Sequence, residues 1–291
     1  MLRIIAIDLD GTLLSSNQSI HEKNIEAIKT AQQQGDIVAI ATGRALFDAL
    51  HITEKYGLRV PIIAANGAQL FVNGFQLNEQ YINENTIYPL LQWLKEEKLY
   101  FQVYLSDKIV LSDLSDGYLT AQLRHVVTQN PLFDTDHFLN SIKAQQYQYG
   151  LEEVPSPILP TTYPSIIKLM VVSPNTTKLM EAKAFCHKLE GIEVSSSGSF
   201  NIEIMTSGID KGTALHQLCE YYGISVKHTV TIGDNQNDIP MFKVAGKSIA
   251  MGNADDELVN MATYKTLTND DCGVAYAFDH FIHEQTTRSI K

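Results

Sequence analysis

The stretch Ile4–Leu14, IIAIDLDGTLL, decides the fold. Its apolar start reads as a short buried strand, yet the run delivers two carboxylates, Asp8 and Asp10, two positions apart and then a glycine, Gly11. In a strand, residues i and i+2 point to the same face, so both acids are expected to project the same way. Two like charges held that close to an apolar strand repel one another and are costly to desolvate. Something must offset that cost.

Working outward, the chain alternates. After Ile4–Ile7, a helix is expected from Glu22 to Gln34, closed by Gly35, then a strand IVAIA at Ile37–Ala41, a helix from Ala45 to Tyr56 and a strand PIIAA at Pro61–Ala65. Short all-apolar strands separated by helices are the mark of a parallel sheet covered on both faces. In LFVNGFQL, Asn73-Gly74 predicts a hairpin, because a type I′ turn needs positive φ at both central positions. Next come a helix around TIYPLLQWLKEEK, β-like runs YFQVYL and KIVLS, a helix near Tyr118–Val127, and EEVPSPILPTTYP (Glu152–Pro164), which reads as a loop. IIKLMVV, a helix from Thr176 to Lys188, EVSSS and NIEIM complete this block. Past Ile209 the βα alternation returns: KGTALHQLCEYYG, TVTIG, IPMFKVA and KSIAMG. The expected architecture is therefore α/β: a Rossmann-like, doubly wound parallel-sheet core, residues 1–82 and 208–291, with an α+β module, residues 83–207, inserted into it.

Composition bounds the function. The chain has 291 residues, 44% of them apolar and 19% charged, which is the profile of a folded protein. A formal net charge of -11 argues against a nucleic-acid or anionic-membrane partner, so an anionic substrate must be drawn by a metal ion and a few placed cations. Cys186, Cys219 and Cys272 are odd in number and contain no CxxC, which reads as free thiols in a reducing compartment. With Asp8 interrupting the N-terminal apolar run and no later window long enough to span a bilayer, a cytoplasmic protein is expected.

Ligands of open parallel sheets bind outside the carboxyl ends of the strands. Asp8 and Asp10 lie at one such end, ATGR supplies Thr42, Gly43 and Arg44 at a second, and TIGDNQND supplies Asp234, Asn237 and Asp238 at a third, with Lys211 opening the helix after the inserted module. Acids from two strands suit a hard divalent cation: Mg²⁺ takes oxygen ligands and keeps several waters. Asp8 and Asp234 are the expected side-chain ligands, with the Asp10 carbonyl as a third oxygen. The Thr42 hydroxyl and the backbone at Gly43 suit a phosphate, and Lys211 adds a point charge.

IDLDGTLL, ATGR, the lysine of GIDKGTAL and TIGDNQND resemble the four motifs of the haloacid dehalogenase-like (HAD) phosphatases. AANGAQL, SFNIEIM, IGDNQNDIPMFKVAGKSIAMGNA and NDDCGVAYAF resemble the Cof-type branch, which carries a large α/β cap of the C2 type between the second and third motifs. Cys272 stands where such relatives usually have an acid. The resemblance implies a Mg²⁺-dependent phosphatase acting on small phosphorylated metabolites. It implies that Asp8 is the nucleophile forming an aspartyl-phosphate, and that Asp10 is the acid and then the base. Gly11 and Thr12 then fix the loop, the Leu9 N–H and Asn237 meet phosphate oxygens, and Asp238 orients Lys211 or a metal-bound water. The implied partner is a small phosphomonoester, with no nucleic acid and no membrane, and the expected state is monomer or homodimer. A phosphotransferase or phosphomutase would use the same nucleophile, and a silent phosphate-binding protein is disfavoured because every motif residue is present.

Other features have plainer readings. His280, His283 and Glu284 have helical spacing for a metal but lack a fourth ligand. Trp93, Tyr100, Phe101 and Tyr104 read as core of the inserted module, and Asp107, Asp113 and Asp116 as a solvated face.

Overall fold

The computed structural model describes residues 2–146, 149–155 and 165–282, and the architecture below is that of these residues. In chain order the first elements are β1 (Ile4–Ile7), α1 (Glu22–Gln33), β2 (Ile37–Ala41), α2 (Leu46–Lys55), β3 (Ile62–Ala64), β4 (Gln69–Val72) and β5 (Phe75–Glu79). Then come α3 (Glu84–Glu96), β6 (Tyr100–Tyr104), β7 (Ile109–Ser112), α4 (Ser115–Gln129), α5 (Thr135–Gln146), β8 (Leu151–Val154), β9 (Lys168–Val172), α6 (Thr176–Cys186), β10 (Ile192–Ser195) and β11 (Asn201–Thr206). The last are α7 (Lys211–Tyr222), β12 (Thr229–Gly233), α8 (Ile239–Val244), β13 (Lys247–Ala250), α9 (Asp256–Met261), β14 (Tyr264–Lys265) and α10 (Gly273–Ala277). The chain divides into two compact units, Met1–Asn78 with Ile209–Lys291, and Glu79–Gly208, against expected crossings at 82/83 and 207/208.

The first unit is α/β. Its sheet runs β14-β13-β12-β1-β2-β3-β4-β5, parallel from β14 through β3, with β4 antiparallel to β3. Alternate residues of β1 enter two cores. Ile5 and Ile7 pack with Ile28 and Ala31 of α1 and Val274 and Ala277 of α10, while Ile4 and Ala6 pack with Leu215 and Leu218 of α7 and Met241 and Phe242 of α8. Burial on both faces explains why β1 is apolar throughout. The β4–β5 turn has φ of 52° at Asn73 and 86° at Gly74, the double positive φ that the Asn-Gly pair predicts.

The second unit has a six-stranded sheet, β10-β11-β9-β6-β7-β8, antiparallel except for the β7–β8 pair. One face carries Phe101, Val103, Leu169, Val171, Ile202 and Ile204 against α3 and α6. Two expectations are corrected here. Glu152–Val154, read as loop, pairs in β8 with Val110–Ser112, because strand pairing satisfies its backbone despite the two glutamates. α5 has no counterpart in the sequence reading: its sequence, TDHFLNSIKAQQ, is mostly polar, Leu139 is exposed, and only Phe138 and Ile142, four residues apart, are seen buried. The remainder of the expected loop, residues 156–164, and His283 and Glu284 lie outside the described residues.

Candidate active site

The first departure from the sequence reading comes at the acids themselves. β1 ends at Ile7, and the chain from Asp8 to Leu14 is turn, closed by Leu13 N–H to the Asp8 carbonyl (3.2 Å) and Leu14 N–H to the Leu9 carbonyl (2.8 Å). Asp8 and Asp10 therefore do not share a strand face. A glycine permits the turn: Gly11 has φ +78°, and a Cβ there would lie 2.3 Å from the Asp234 carboxylate.

The acids take different cations. Lys211 Nζ donates to Asp8 Oδ1 at 2.7 Å and to Asp238 Oδ1 at 2.6 Å, with all three side chains buried. Lys211 is held there as the first residue of α7, whose start is fixed by a capping box: Asp210 Oδ1 accepts from Thr213 N–H, and Thr213 Oγ1 from Asp210 N–H. Asp10 is gripped instead by Arg44, whose Nε and Nη2 donate to its two oxygens at 2.7 Å each. Arg44 follows β2 and donates in turn to Asp48 Oδ2 (2.8 Å) and Gln18 Oε1 (2.7 Å).

The end of β12 supplies the rest. Asp234 Oδ1 accepts from Thr12 Oγ1 at 2.9 Å, and Asp238 Oδ2 accepts from the N–H groups of Asp234 (2.9 Å) and Asn235 (3.2 Å). Carboxylate oxygens of Asp8, Asp234 and Asp238 lie within 4.8 Å of one another. Asn237 Nδ2 donates to Asn66 Oδ1 at 3.2 Å. Asn66 has φ 53°, and its N–H bonds the Thr42 carbonyl (2.9 Å), which ties this turn to the Thr42–Arg44 segment. Thr42 is buried, its hydroxyl accepting from Arg44 N–H at 3.1 Å, while Gly43 is half-buried. Leu9 buries its side chain in the core beside Ile5 and Ile7.

Charge is out of balance in this region. Asp8, Asp234 and Asp238 face one ammonium, and Asp10 and Asp48 face one guanidinium, so among the described residues and contacts five acids meet two cations. Burial, opposed by Lys211 and reinforced by Asp238, pushes the Asp8 carboxyl up to about 7. Burial and the neighbouring Asp8 and Asp238 likewise raise Asp234 well above the carboxylate range. Burial alone would lower the Lys211 ammonium, but Asp238 and Asp8 reverse that and raise it, so its charge is secure. The donor set fits a hard divalent cation: all-oxygen, clustered and short of positive charge. The side chain that joins Asp8 and Asp234 in this cluster is Asp238, not Asp10. Asp238 is already bonded through both oxygens, and the Asp10 carboxylate is turned to Arg44, which leaves only its carbonyl for the role first assigned to it.

Sequence reasoning places Arg44 at the mouth but gives it no partner, and it passes over Asp48 and Asn66. Arg44 and Asp48 carry a legible signal, the i,i+4 pair in ATGRALFD. Asn66 carries a weaker one, an Asn-Gly just past a buried strand.

The chain matches the family of haloacid dehalogenase-like hydrolases over residues 5–278, and it belongs to that family. It is 36% identical over 288 residues to the 5-amino-6-(5-phospho-D-ribitylamino)uracil phosphatase YwtE of Bacillus subtilis (strain 168), covering 98% of this chain and 99% of that protein. It is 31% identical over 291 residues to the phosphatase YwpJ of the same organism, covering 97% and 100%. A solved haloacid dehalogenase-like hydrolase from B. subtilis superposes with a TM-score of 0.83 at 31% identity, over 96% of this chain and 99% of that one. The fold is accordingly the Rossmann-like α/β fold of this family, and the protein is an enzyme of its phosphatase class.

Proposed function

We propose that the protein is a Mg²⁺-dependent phosphomonoesterase for small phosphorylated metabolites, working through an aspartyl-phosphate on Asp8. The carrying observation is the Asp8 carboxylate at the end of β1, 2.7 Å from a buried ammonium and clustered with Asp234 and Asp238. Asp8 attacks phosphorus as the bond to the leaving oxygen breaks, and Asp10 gives that oxygen a proton. Water then attacks the aspartyl-phosphate while Asp10 takes its proton, releasing inorganic phosphate and restoring Asp8. Lys211 holds charge against the phosphoryl oxygens throughout, helped by the Thr42 hydroxyl, the N–H groups at Leu9 and Gly43, and Asn237. Asp238 keeps Lys211 in place. Mg²⁺, held by Asp8, Asp234 and the Asp10 carbonyl, would neutralise the excess carboxylates and let an anionic substrate approach.

The inserted unit acts as the cap in this reading and distinguishes leaving groups. The free thiols favour a reducing, cytoplasmic setting, and no described helix is long and apolar enough to cross a membrane. The similarity to a 5-amino-6-(5-phospho-D-ribitylamino)uracil phosphatase makes that compound, a phosphate ester on a polyol chain, the first substrate to test. The test is phosphate release over a panel of metabolite esters with and without Mg²⁺, for the wild type and Asp8→Asn. Turnover should need the metal and fall by several powers of ten in Asp8→Asn. Near-normal hydrolysis by folded Asp8→Asn would end this reading.

A further inference from the structure

Asp10 must reach a departing oxygen, yet both its own oxygens are held by one guanidinium. Its side chain is 42% exposed, so burial alone does not hold it. What grips both its oxygens is Arg44, a long side chain that is only 9% exposed and is bonded at its far end as well. The anchor is visible. Nη1 is bonded to Asp48 Oδ2 at 2.8 Å, and Asp48 lies one turn along, on α2, with a side chain only 3% exposed. Gln18 Oε1 takes a further bond from Nη2 at 2.7 Å. Asp48 lies in the first turn of α2, where a carboxylate also suits the helix start, and it reaches Asp10 through Arg44.

We propose that Asp48 is a positioning residue for proton transfer: through Arg44 it fixes where the Asp10 carboxylate sits when the leaving oxygen departs. Resting on the phosphatase reading above, the inference adds a member to the acid–base apparatus that lies outside the phosphoryl site. The two-point grip suits the task. While Asp10 carries the proton to be given, its protonated oxygen is released from Arg44 and the other oxygen stays bonded as a pivot; once the proton has passed to the leaving alkoxide, the freed oxygen closes onto the guanidinium again. When Asp10 then takes a proton from the attacking water, that same contact opens and the pivot remains. For that pivot to hold its place, the guanidinium must be fixed from its far side, which Asp48 does.

Leaving-group dependence is the readout. An alkyl phosphate departs as a strong base and needs the proton from Asp10, whereas 4-nitrophenyl phosphate departs as a stabilised phenolate and does not. Asp48→Asn keeps the shape and removes the charge that anchors Arg44. It is expected to lower kcat on an alkyl phosphomonoester by about tenfold or more, with KM nearly unchanged, and to change kcat on 4-nitrophenyl phosphate by less than about threefold. Asp10→Asn should show the same selectivity more strongly. A folded Asp48→Asn enzyme that loses activity equally on both esters, or on neither, overturns the proposal. Should Asp48→Asn fail to fold, Gln18→Ala decides it, since Gln18 is exposed and removes one anchor of the same guanidinium: a smaller but selective loss on the alkyl ester supports the proposal, and an unselective loss or none overturns it. If Asp8→Asn stays active, or Asp10→Asn shows no selectivity, the phosphatase mechanism itself has failed, and this inference falls with it.

Discussion

Both units bury a lysine completely, Lys211 in the first and Lys168 in the second, and each lysine lies beside a carboxylate. Lys211 is shared by two acids at 2.6 and 2.7 Å, with Asp234 close by and no second ammonium among the contacts of that cluster. Lys168 sits 3.5 Å from Glu203 and 4.2 Å above the Tyr104 ring, a carboxylate and an aromatic face on one positive charge among the described contacts. The second arrangement balances its charge within the sheet face formed by β6, β9 and β11. The first is left negative. A buried site with unbalanced charge is strained until something charged enters it, whereas a balanced one needs nothing. The contrast separates a cluster rich in acids from a lysine paired within its own sheet.

The contrast can be broken by experiment. The largest effect is expected at Lys211. Lys211→Met removes the cation nearest the phosphoryl site, and kcat/KM should drop by roughly 2 to 4 kcal/mol in transition-state terms, about thirty- to a thousandfold, to a similar extent for unrelated esters. Steady-state kinetics on three such esters decides it, and a penalty that varies widely among them would detach Lys211 from the shared phosphoryl group. Gly11→Ala attacks the same site by sterics, because the new Cβ would meet the Asp234 carboxylate in a backbone conformation that disfavours side chains. Calorimetric titration with Mg²⁺ should then show affinity reduced by at least about tenfold.

At Lys168 the change should appear in stability. Lys168→Met removes the ammonium beside the buried Glu203, whose Oε1 still accepts from Ser197 Oγ at 2.9 Å, and unfolding in urea should show a loss of about 3 to 5 kcal/mol. Adding Glu203→Gln should restore part of that loss. If instead the double substitution is as damaging as the single one, the pair is not the self-balancing feature drawn above.

The smallest effect sharpens the comparison at neutral residues. Cys186 and Cys219 are buried in the second and first units respectively, and burial pushes both thiols up to about 11. Cys272 is half-buried. Mass spectrometry after brief iodoacetamide treatment of the native protein should find Cys272 modified and the other two protected until the chain is unfolded. Rapid native labelling of Cys219 would mean that the core between β1 and α7 opens far more readily than its packing implies.

Much was legible in the chain because it depends on near neighbours. The apolar run of β1, the Asn-Gly hairpin and the helix beginning at Lys211 follow from burial on two faces, positive φ and a capping box, all encoded within a few residues. α5 and β8 were missed for the converse reason: their apolar content is low, and contacts made elsewhere in the second unit, not local pattern, stabilise them. The strand periodicity applied to Asp8 and Asp10 failed because β1 stops one residue before the first acid, where Gly11 lets the chain turn.

By itself the sequence determined which residue types gather at the strand ends: acids after β1 and β12, Thr-Gly-Arg after β2 and a lysine opening α7. Only the tertiary structure decided how these charges pair. Lys211 and Asp8 are 203 residues apart and Thr12 and Asp234 are 222 apart, so no local rule links them. Asp10, next but one to Asp8, could in principle have taken the same lysine. It takes Arg44 instead, because the turn after β1 aims it toward the end of β2 while Asp8 stays beside α7. Charge pairing acts through space and falls off over a few ångströms, so the assignment of each acid to its cation belongs to the fold.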